Sequence, residues 1–191
     1  LPFADIDTAI SAVPKIKLAG LSPQSIEFME RDIVDSSANY TGNKIIPTVI
    51  DGKEAGAYIL VTLDGNDQDE IFQRAETLAE IGDEIGAYDT LVLSHPADKR
   101  AVWEARSAFL TVIEAETDLI DEMDVVVPVD KIPAFLEYAH EVGDKYEVRI
   151  RSFGHAGDGN LHIYCCANDM DEDLFLERTA KVMKAAYEKC T

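Results

Sequence analysis

His155 and His162 flank the stretch Ala156-Gly157-Asp158-Gly159-Asn160-Leu161, and of all side chains in this sequence they are the two best placed to do chemistry together. The runs Tyr146 to Phe153 and Leu161 to Ala167 are apolar and β-prone, and Asp158-Gly159 between them supplies the positive φ angles of a tight hairpin turn. With those two residues at the centre of the turn, Gly157 pairs with Asn160, Ala156 with Leu161, and His155 with His162. Directly opposed residues of an antiparallel ladder share a face, with Cβ atoms about 4.5 to 5.5 Å apart. The imidazoles then converge on one point, which is half of a divalent metal site lacking only carboxylate or water ligands. Without such partners the same pair is a solvated polar couple. Asp158 and Asn160 read as turn formers, because both tolerate the required dihedrals, and a supporting role toward the histidines is open to them. Gly154, Gly157 and Gly159 are more glycine than a plain hairpin needs, so a ligand or another chain can come close to the backbone.

Arg106 is the second candidate. It follows Trp103 by one helical turn inside a predicted helix from Ala97 to about Glu116, so the two share a face. A guanidinium there can grip a carboxylate with two parallel hydrogen bonds, or it can lie over a surface tryptophan. That helix carries two apolar stripes, one through Val102, Ala105, Phe109 and Val112 and one through Trp103, Leu110 and Ile113, which implies cover on more than one side.

The elements that must position these residues follow from periodicity. Asp5 to Val13 reads as a short helix halted near Pro14, and Ile16 to Ala19 as a brief strand. Ser22-Pro23 reads as a cap and first turn launching a helix through Ile26, Met29, Ile33 and Val34. Strands are expected at Ala57 to Leu63, Thr90 to Leu93 and Met123 to Val129, the last at an edge because of Pro128. Helices are expected at Asp67 to Gly86, at Ile132 to Gly143, and at Asp171 to Lys189. Strands and helices in this order predict an α+β fold, a ferredoxin-like antiparallel sheet with helices packed mainly on one face. His95 beside Pro96 and His140 on its helix read as structural.

The chain has 191 residues, 47% of them apolar, enough for one domain with a real core. Seventeen basic against thirty-seven acidic residues give a net charge of −20, which repels phosphate backbones and argues against a nucleic-acid partner. No apolar run is long enough to form a transmembrane segment. Three cysteines form neither a disulfide framework nor a zinc-ribbon spacing, so a reducing, cytoplasmic setting is expected.

The nine residues from Gly154 to His162, GHAGDGNLH, resemble the signature of the C-terminal region of FAD-linked 2-hydroxyacid dehydrogenases and oxidases. These are vanillyl-alcohol-oxidase-like flavoproteins of the D-lactate dehydrogenase, glycolate oxidase and D-2-hydroxyglutarate dehydrogenase type. Trp103-Glu104-Ala105-Arg106 is similar to the family's Trp-x-x-Arg, and Pro23 to Glu27 to its Pro-x-x-(Ile/Leu)-Glu pattern. The resemblance implies that His155 and His162 hold a divalent metal (Zn, Mn or Fe), that Arg106 holds the substrate carboxylate, and that a flavin takes the hydride. It implies FAD bound mainly by a preceding FAD-binding domain and a Glu-His segment further downstream. Residues 1 to 191 are therefore expected to be a single substrate or cap domain excised from a longer flavoprotein and inactive alone. Its expected partners are a small 2-hydroxy acid, its own FAD-binding domain, and an electron acceptor such as an electron-transfer flavoprotein. Diacid-oxidising members carry lysine where this sequence has Glu122 and asparagine where it has Tyr164, so a lactate or glycolate type of substrate is expected. A different class of reading is a non-catalytic ligand-sensing or oligomerisation domain, whose histidines hold a regulatory metal or none.

Overall fold

The computed structural model describes residues 1–190. The chain opens with a two-residue strand β1 (Pro2–Phe3) and helix α1 (Ile6–Leu18), capped by Asp5, whose carboxylate accepts the Thr8 N–H at 2.8 Å. The helix runs through Pro14, where the sequence predicted a stop and then a strand. Proline inside a helix costs about 3 kcal/mol, and full burial of Val13 just before it and Ile16 just after it returns about 1.5–3 kcal/mol each. Packing against the sheet therefore wins.

Residues 25–30 depart most from expectation. Instead of a helix from Ser22, Ser25–Glu30 forms strand β2, and helix α2 (Arg31–Thr41) begins only after it. Ile26 and Phe28 enter the core beneath α1, whereas Met29 enters a second core on the opposite face. That alternation is a strand's, and the helical spacing of Ile26, Met29 and Ile33 was coincidental. Gly42 ends α2 at φ 70°, in the left-handed region that glycine adopts freely. A small ribbon of β3 (Val49–Ile50) and β4 (Lys53–Glu54) precedes strand β5 (Ala57–Thr62) and helix α3 (Gln68–Ile85). Thr90 to Leu93 forms no ladder. β1 already lies against the β5 edge at Tyr58 and Ala57, and an apolar run makes a strand only where an edge accepts it.

The single helix expected over 97–116 is two, α4 (Pro96–Ser107) and α5 (Phe109–Glu116). The Ala105 carbonyl, which in a continuous helix serves Phe109, accepts the Ser37 hydroxyl at 2.8 Å. His95 caps α4, its Nδ1 accepting the Ala97 N–H at 3.1 Å. Strand β6 (Leu119–Val126) starts four residues earlier than predicted and ends before Pro128. Helix α6 (Ile132–Lys145) passes through Gly143, which the sequence made its end. A Cβ on Gly143 would lie 2.6 Å from the Val148 carbonyl oxygen, so this glycine serves close packing rather than termination. Strands β7 (Arg149–His155) and β8 (Asn160–Ala167) and helix α7 (Glu172–Lys189), capped by Asp171, complete the chain.

The main sheet has the order β1-β5-β2-β7-β8-β6, with every adjacent pair antiparallel and β6 at the edge where Pro128 placed it. Helices α1, α3, α6 and α7 build the larger core on one face, and α2, α4 and α5 cover part of the other. This is the α+β antiparallel architecture expected from the sequence, with most helices on one face. Arg151 of β7, 1% exposed, ties the less covered face together: Nε meets Asp32 at 2.8 Å, Nη1 meets Glu116 at 2.9 Å, and Nη2 meets the Ser36 hydroxyl at 2.7 Å. One buried cation thus fixes α2 and α5 to the sheet.

Candidate functional site

The β7–β8 hairpin turns over four residues, Ala156 to Gly159, instead of two. His155 pairs with Asn160 and Phe153 pairs with His162, so the predicted direct pairing of the histidines is wrong by two residues. The cause lies in the turn: the Asp158 and Gly159 N–H groups both donate to the His155 carbonyl, and the Gly157 N–H donates to Ile26 of β2 at 3.2 Å. Gly159 takes φ 84°, the left-handed position the turn requires. Because side chains alternate with period two, a shift of two residues leaves both imidazoles on one face. Their ring centroids lie 5.4 Å apart, edge to face.

Asp158 and Asn160 serve the turn, the Asp158 carboxylate accepting the Asn160 N–H at 3.1 Å. Other carboxylates touch the rings. His155 Nδ1 lies 2.9 Å from Glu27 Oε1, and His162 Nδ1 lies 2.6 Å from Asp124 Oδ1. An ionised carboxylate only accepts hydrogen bonds, so each ring donates its Nδ1–H and keeps its lone pair at Nε2. A histidine that ligates a metal commonly donates its other ring N–H to a carboxylate or carbonyl in this way.

Arg106 reaches the same cleft from α4. Its Nη2 donates to Glu27 Oε2 at 3.0 Å, and its guanidinium carbon lies 4.5 Å from the centre of the Phe153 ring and 5.3 Å from that of Phe109. Both sequence readings of Arg106 gave it the Trp103 indole as neighbour; the rings beneath it are phenyls, and Trp103 stands 40% exposed at the cleft mouth. The Arg106 Nε is buried without a partner. Glu122 of β6 accepts the Tyr164 hydroxyl at 2.8 Å and lies 3.8 Å from His162 Nδ1. Burial, and then this contact with Glu122, push the Tyr164 phenol well above the ordinary tyrosine range, so it stays a hydrogen-bond donor. Glu27, Arg106, Glu122, His155, His162 and Tyr164 together line a cleft of about 690 Å³.

The donor set suits a divalent cation. Glu122, Asp124 and His162 offer ligand atoms that all lie within 4.8 Å of one another; His155 stands outside this group, its ring edge to face with that of His162 on the neighbouring strand. Mixed imidazole and carboxylate donors fit zinc, manganese or iron. The cleft's charge points the same way: one guanidinium, Arg106, stands against the lining carboxylates of Glu27 and Glu122, and Asp124 adds a third carboxylate through its contact with His162.

Sequence reasoning missed Glu27 and Asp124. Glu27 was hidden by the helical reading of residues 22–34; the signal that marks it is a charge between Ile26 and Phe28, since an acidic residue inside an apolar strand must find partners. Asp124 sits across the β6–β8 ladder from His162, a pairing that no local pattern announces.

Fold and cleft define an α+β domain with a polar, anionic site built at one end of an antiparallel sheet. The family described as "FAD linked oxidases, C-terminal domain" matches residues 1–190, and the chain belongs to it. It is 42% identical over 191 residues to a D-lactate dehydrogenase of Anaerostipes hadrus, a match covering all of this chain and 40% of that protein. An uncharacterized FAD-linked oxidoreductase of Mycobacterium tuberculosis is 32% identical over 172 residues, covering 90% of this chain and 37% of that protein. Glycolate oxidase subunit GlcD of Bacillus subtilis is 27% identical over 190 residues, covering 98% of this chain and 38% of the subunit. The chain thus spans about two fifths of the length of these curated relatives. The solved structure of an alkyldihydroxyacetonephosphate synthase shares the fold, with a TM-score of 0.57 at 12% identity over 97% of this chain and 37% of that one. Among the described residues no helix is long and apolar enough to cross a membrane.

Proposed function

We propose that this chain is the substrate- and metal-binding portion of an FAD-dependent dehydrogenase that oxidises a small 2-hydroxy acid of the lactate or glycolate type to its 2-oxo acid. The observation that carries the proposal is the negative charge of a cleft that nevertheless holds an arginine fork and two Nδ1-anchored imidazoles. Such a cleft repels an anionic acid until a divalent cation balances it. His155 and His162 would hold that cation through Nε2, the ring atom that the carboxylate at each Nδ1 leaves free. When bound, the metal supplies Lewis acidity that favours loss of the substrate's hydroxyl proton. Arg106 holds the substrate carboxylate with the N–H groups that Glu27 leaves free, and Phe153 and Phe109 keep water from its face. FAD, when bound, takes the α-hydrogen as hydride. Its site belongs to another part of a longer polypeptide, a reading supported by the chain's share of its relatives' length. Glu122 and Tyr164 form the end of the cleft that disfavours a second carboxylate. Three free cysteines, two of them buried, support a reducing, cytoplasmic setting.

Two measurements test this. Titration of the chain with Mn²⁺ or Zn²⁺ should show one saturable site that His155→Ala and His162→Ala each weaken strongly. Undiminished binding in both variants removes the metal from the proposal. The longer flavin-loaded polypeptide should reduce an artificial dye with D-lactate or glycolate. Flavin bound but no turnover with either acid defeats the assignment, and a metal-responsive chain without turnover would mark a sensing domain instead.

A further inference from the structure

Glu27 is 3% exposed, and each of its carboxylate oxygens has its own partner. Oε1 meets His155 Nδ1 at 2.9 Å, and Oε2 meets Arg106 Nη2 at 3.0 Å. The two partners reach it from different parts of the fold. His155 lies directly across the β2–β7 ladder from Glu27, whereas Arg106 descends from α4. A carboxylate withdrawn from water this completely costs several kcal/mol unless charge and hydrogen bonds compensate it. β2 lies between β5 and β7, away from either sheet edge, so this group is held by backbone paired on both sides.

We infer that Glu27 is the positioning residue of the cleft, a single buried carboxylate that sets the His155 tautomer and the orientation of the Arg106 fork at once. The inference rests on the proposed function for its consequence, though not for its geometry. With Glu27 ionised, His155 must carry its proton on Nδ1, which leaves the Nε2 lone pair for a metal ion or a proton. By holding Arg106 through Nη2 alone, the same carboxylate leaves other N–H groups of the fork for a ligand. An amide in its place has an N–H as well as a carbonyl, so His155 is released to the other tautomer while shape and volume stay nearly constant. That wrong-tautomer effect is the one known for a carboxylate-to-amide change beside a catalytic histidine.

The test is ¹⁵N-histidine NMR of the metal-free 191-residue chain, with pH raised until the ¹⁵N shifts themselves report the neutral ring. The His155 signals are assigned by their loss in His155→Gln. The wild type should show His155 protonated at Nδ1 with a bare Nε2. Glu27→Gln should shift the ring toward Nε2–H and weaken Mn²⁺ binding about 10- to 100-fold, and Glu27→Asp, which keeps the charge, should retain the wild-type tautomer. A bare Nδ1 in the wild type overturns the inference, as does an unchanged tautomer ratio in a folded Glu27→Gln. If the Gln variant does not fold, the wild-type spectrum decides alone. Nδ1–H at His155 in a chain that binds no metal and supports no turnover would uphold the role of Glu27 while defeating the proposed function, so the two fail separately.

Discussion

Glu122 offers the sharpest quantitative test of how the cleft selects its acid. Its carboxylate accepts the Tyr164 hydroxyl at 2.8 Å and lies beside Asp124 and His162, at the end of the cleft on the edge strand β6. A dicarboxylate gripped at one end by Arg106 would bring its second charge toward Glu122. For two unit charges roughly 6 Å apart, with an effective dielectric of about 40 because Glu122 is 44% exposed, the repulsion is about 1.4 kcal/mol. That is close to tenfold in affinity. Glu122→Gln removes the charge but keeps an amide oxygen to accept the Tyr164 hydroxyl, so it isolates electrostatics from packing. Glu122→Lys inverts the sign and should double the effect to about 2.8 kcal/mol, or roughly a hundredfold. The assay is dye reduction by the longer flavin-loaded polypeptide, comparing kcat/KM for lactate with that for 2-hydroxyglutarate. The ratio of diacid to monoacid should rise about tenfold in the Gln variant and about a hundredfold in the Lys variant, and both gains should shrink in high salt. A ratio unchanged in Glu122→Gln, or no greater in Lys than in Gln, would refute the claim that this carboxylate sets selectivity.

Two further outcomes concern the frame that holds the site. Removing both carboxylate partners of Arg151, with Asp32→Ala and Glu116→Ala, should strand a buried guanidinium and cost about 3–5 kcal/mol in urea unfolding; Arg151→Met should cost less, because the two carboxylates left behind are 42% and 37% exposed and can hydrate. The reverse order would show that the network contributes through packing instead. His140 Nε2 lies 3.0 Å from Glu30, and this hydrogen bond raises the histidine's pKa above its ordinary 6.5 against the opposing effect of burial. A raised folded-state pKa means that the stabilisation is fully present below about 6.5 and is lost as pH rises through the folded value. His140→Gln should therefore be destabilising near pH 6 and nearly neutral near pH 9 in urea unfolding, and an equal effect at both would exclude the ion pair as the cause.

The hairpin could be read from sequence because its information is local and its failure mode is forgiving. The turn was placed one residue late and the ladder partners two residues off, yet His155 and His162 still face each other, since only the parity of the register decides the face. A shift of one residue would have sent one ring to the opposite face. Glu27 lacked that protection. β2 lies within the sheet with apolar side chains on both faces, so its alternation is masked, and Ile26, Met29 and Ile33 satisfy a helical stripe equally well. The break at Ala108 was equally invisible, because it follows from a hydroxyl 68 positions away, Ser37, that takes up the Ala105 carbonyl.

These misses share one physical cause that bears on function. His155 meets a carboxylate 128 positions earlier in the chain, Arg106 meets the same carboxylate across 79 positions, and His162 meets Asp124 across 38. The residues that can ligate or clamp announce themselves by type and spacing, whereas those that aim them are supplied by ladders and helices packed from elsewhere. A local motif therefore survives as a pair of imidazoles in any chain that keeps the hairpin, but the tautomer at which they present their lone pairs depends on β2 and β6 arriving in register. The single β2 register that sets Glu27 opposite His155 also sets Met29 opposite Phe153, the ring on which Arg106 lies. A slip of β2 by one residue would remove Glu27 from both His155 and Arg106 while leaving every residue of the hairpin motif in place. The chemistry of this cleft is thus a property of strand pairing before it is a property of the motif.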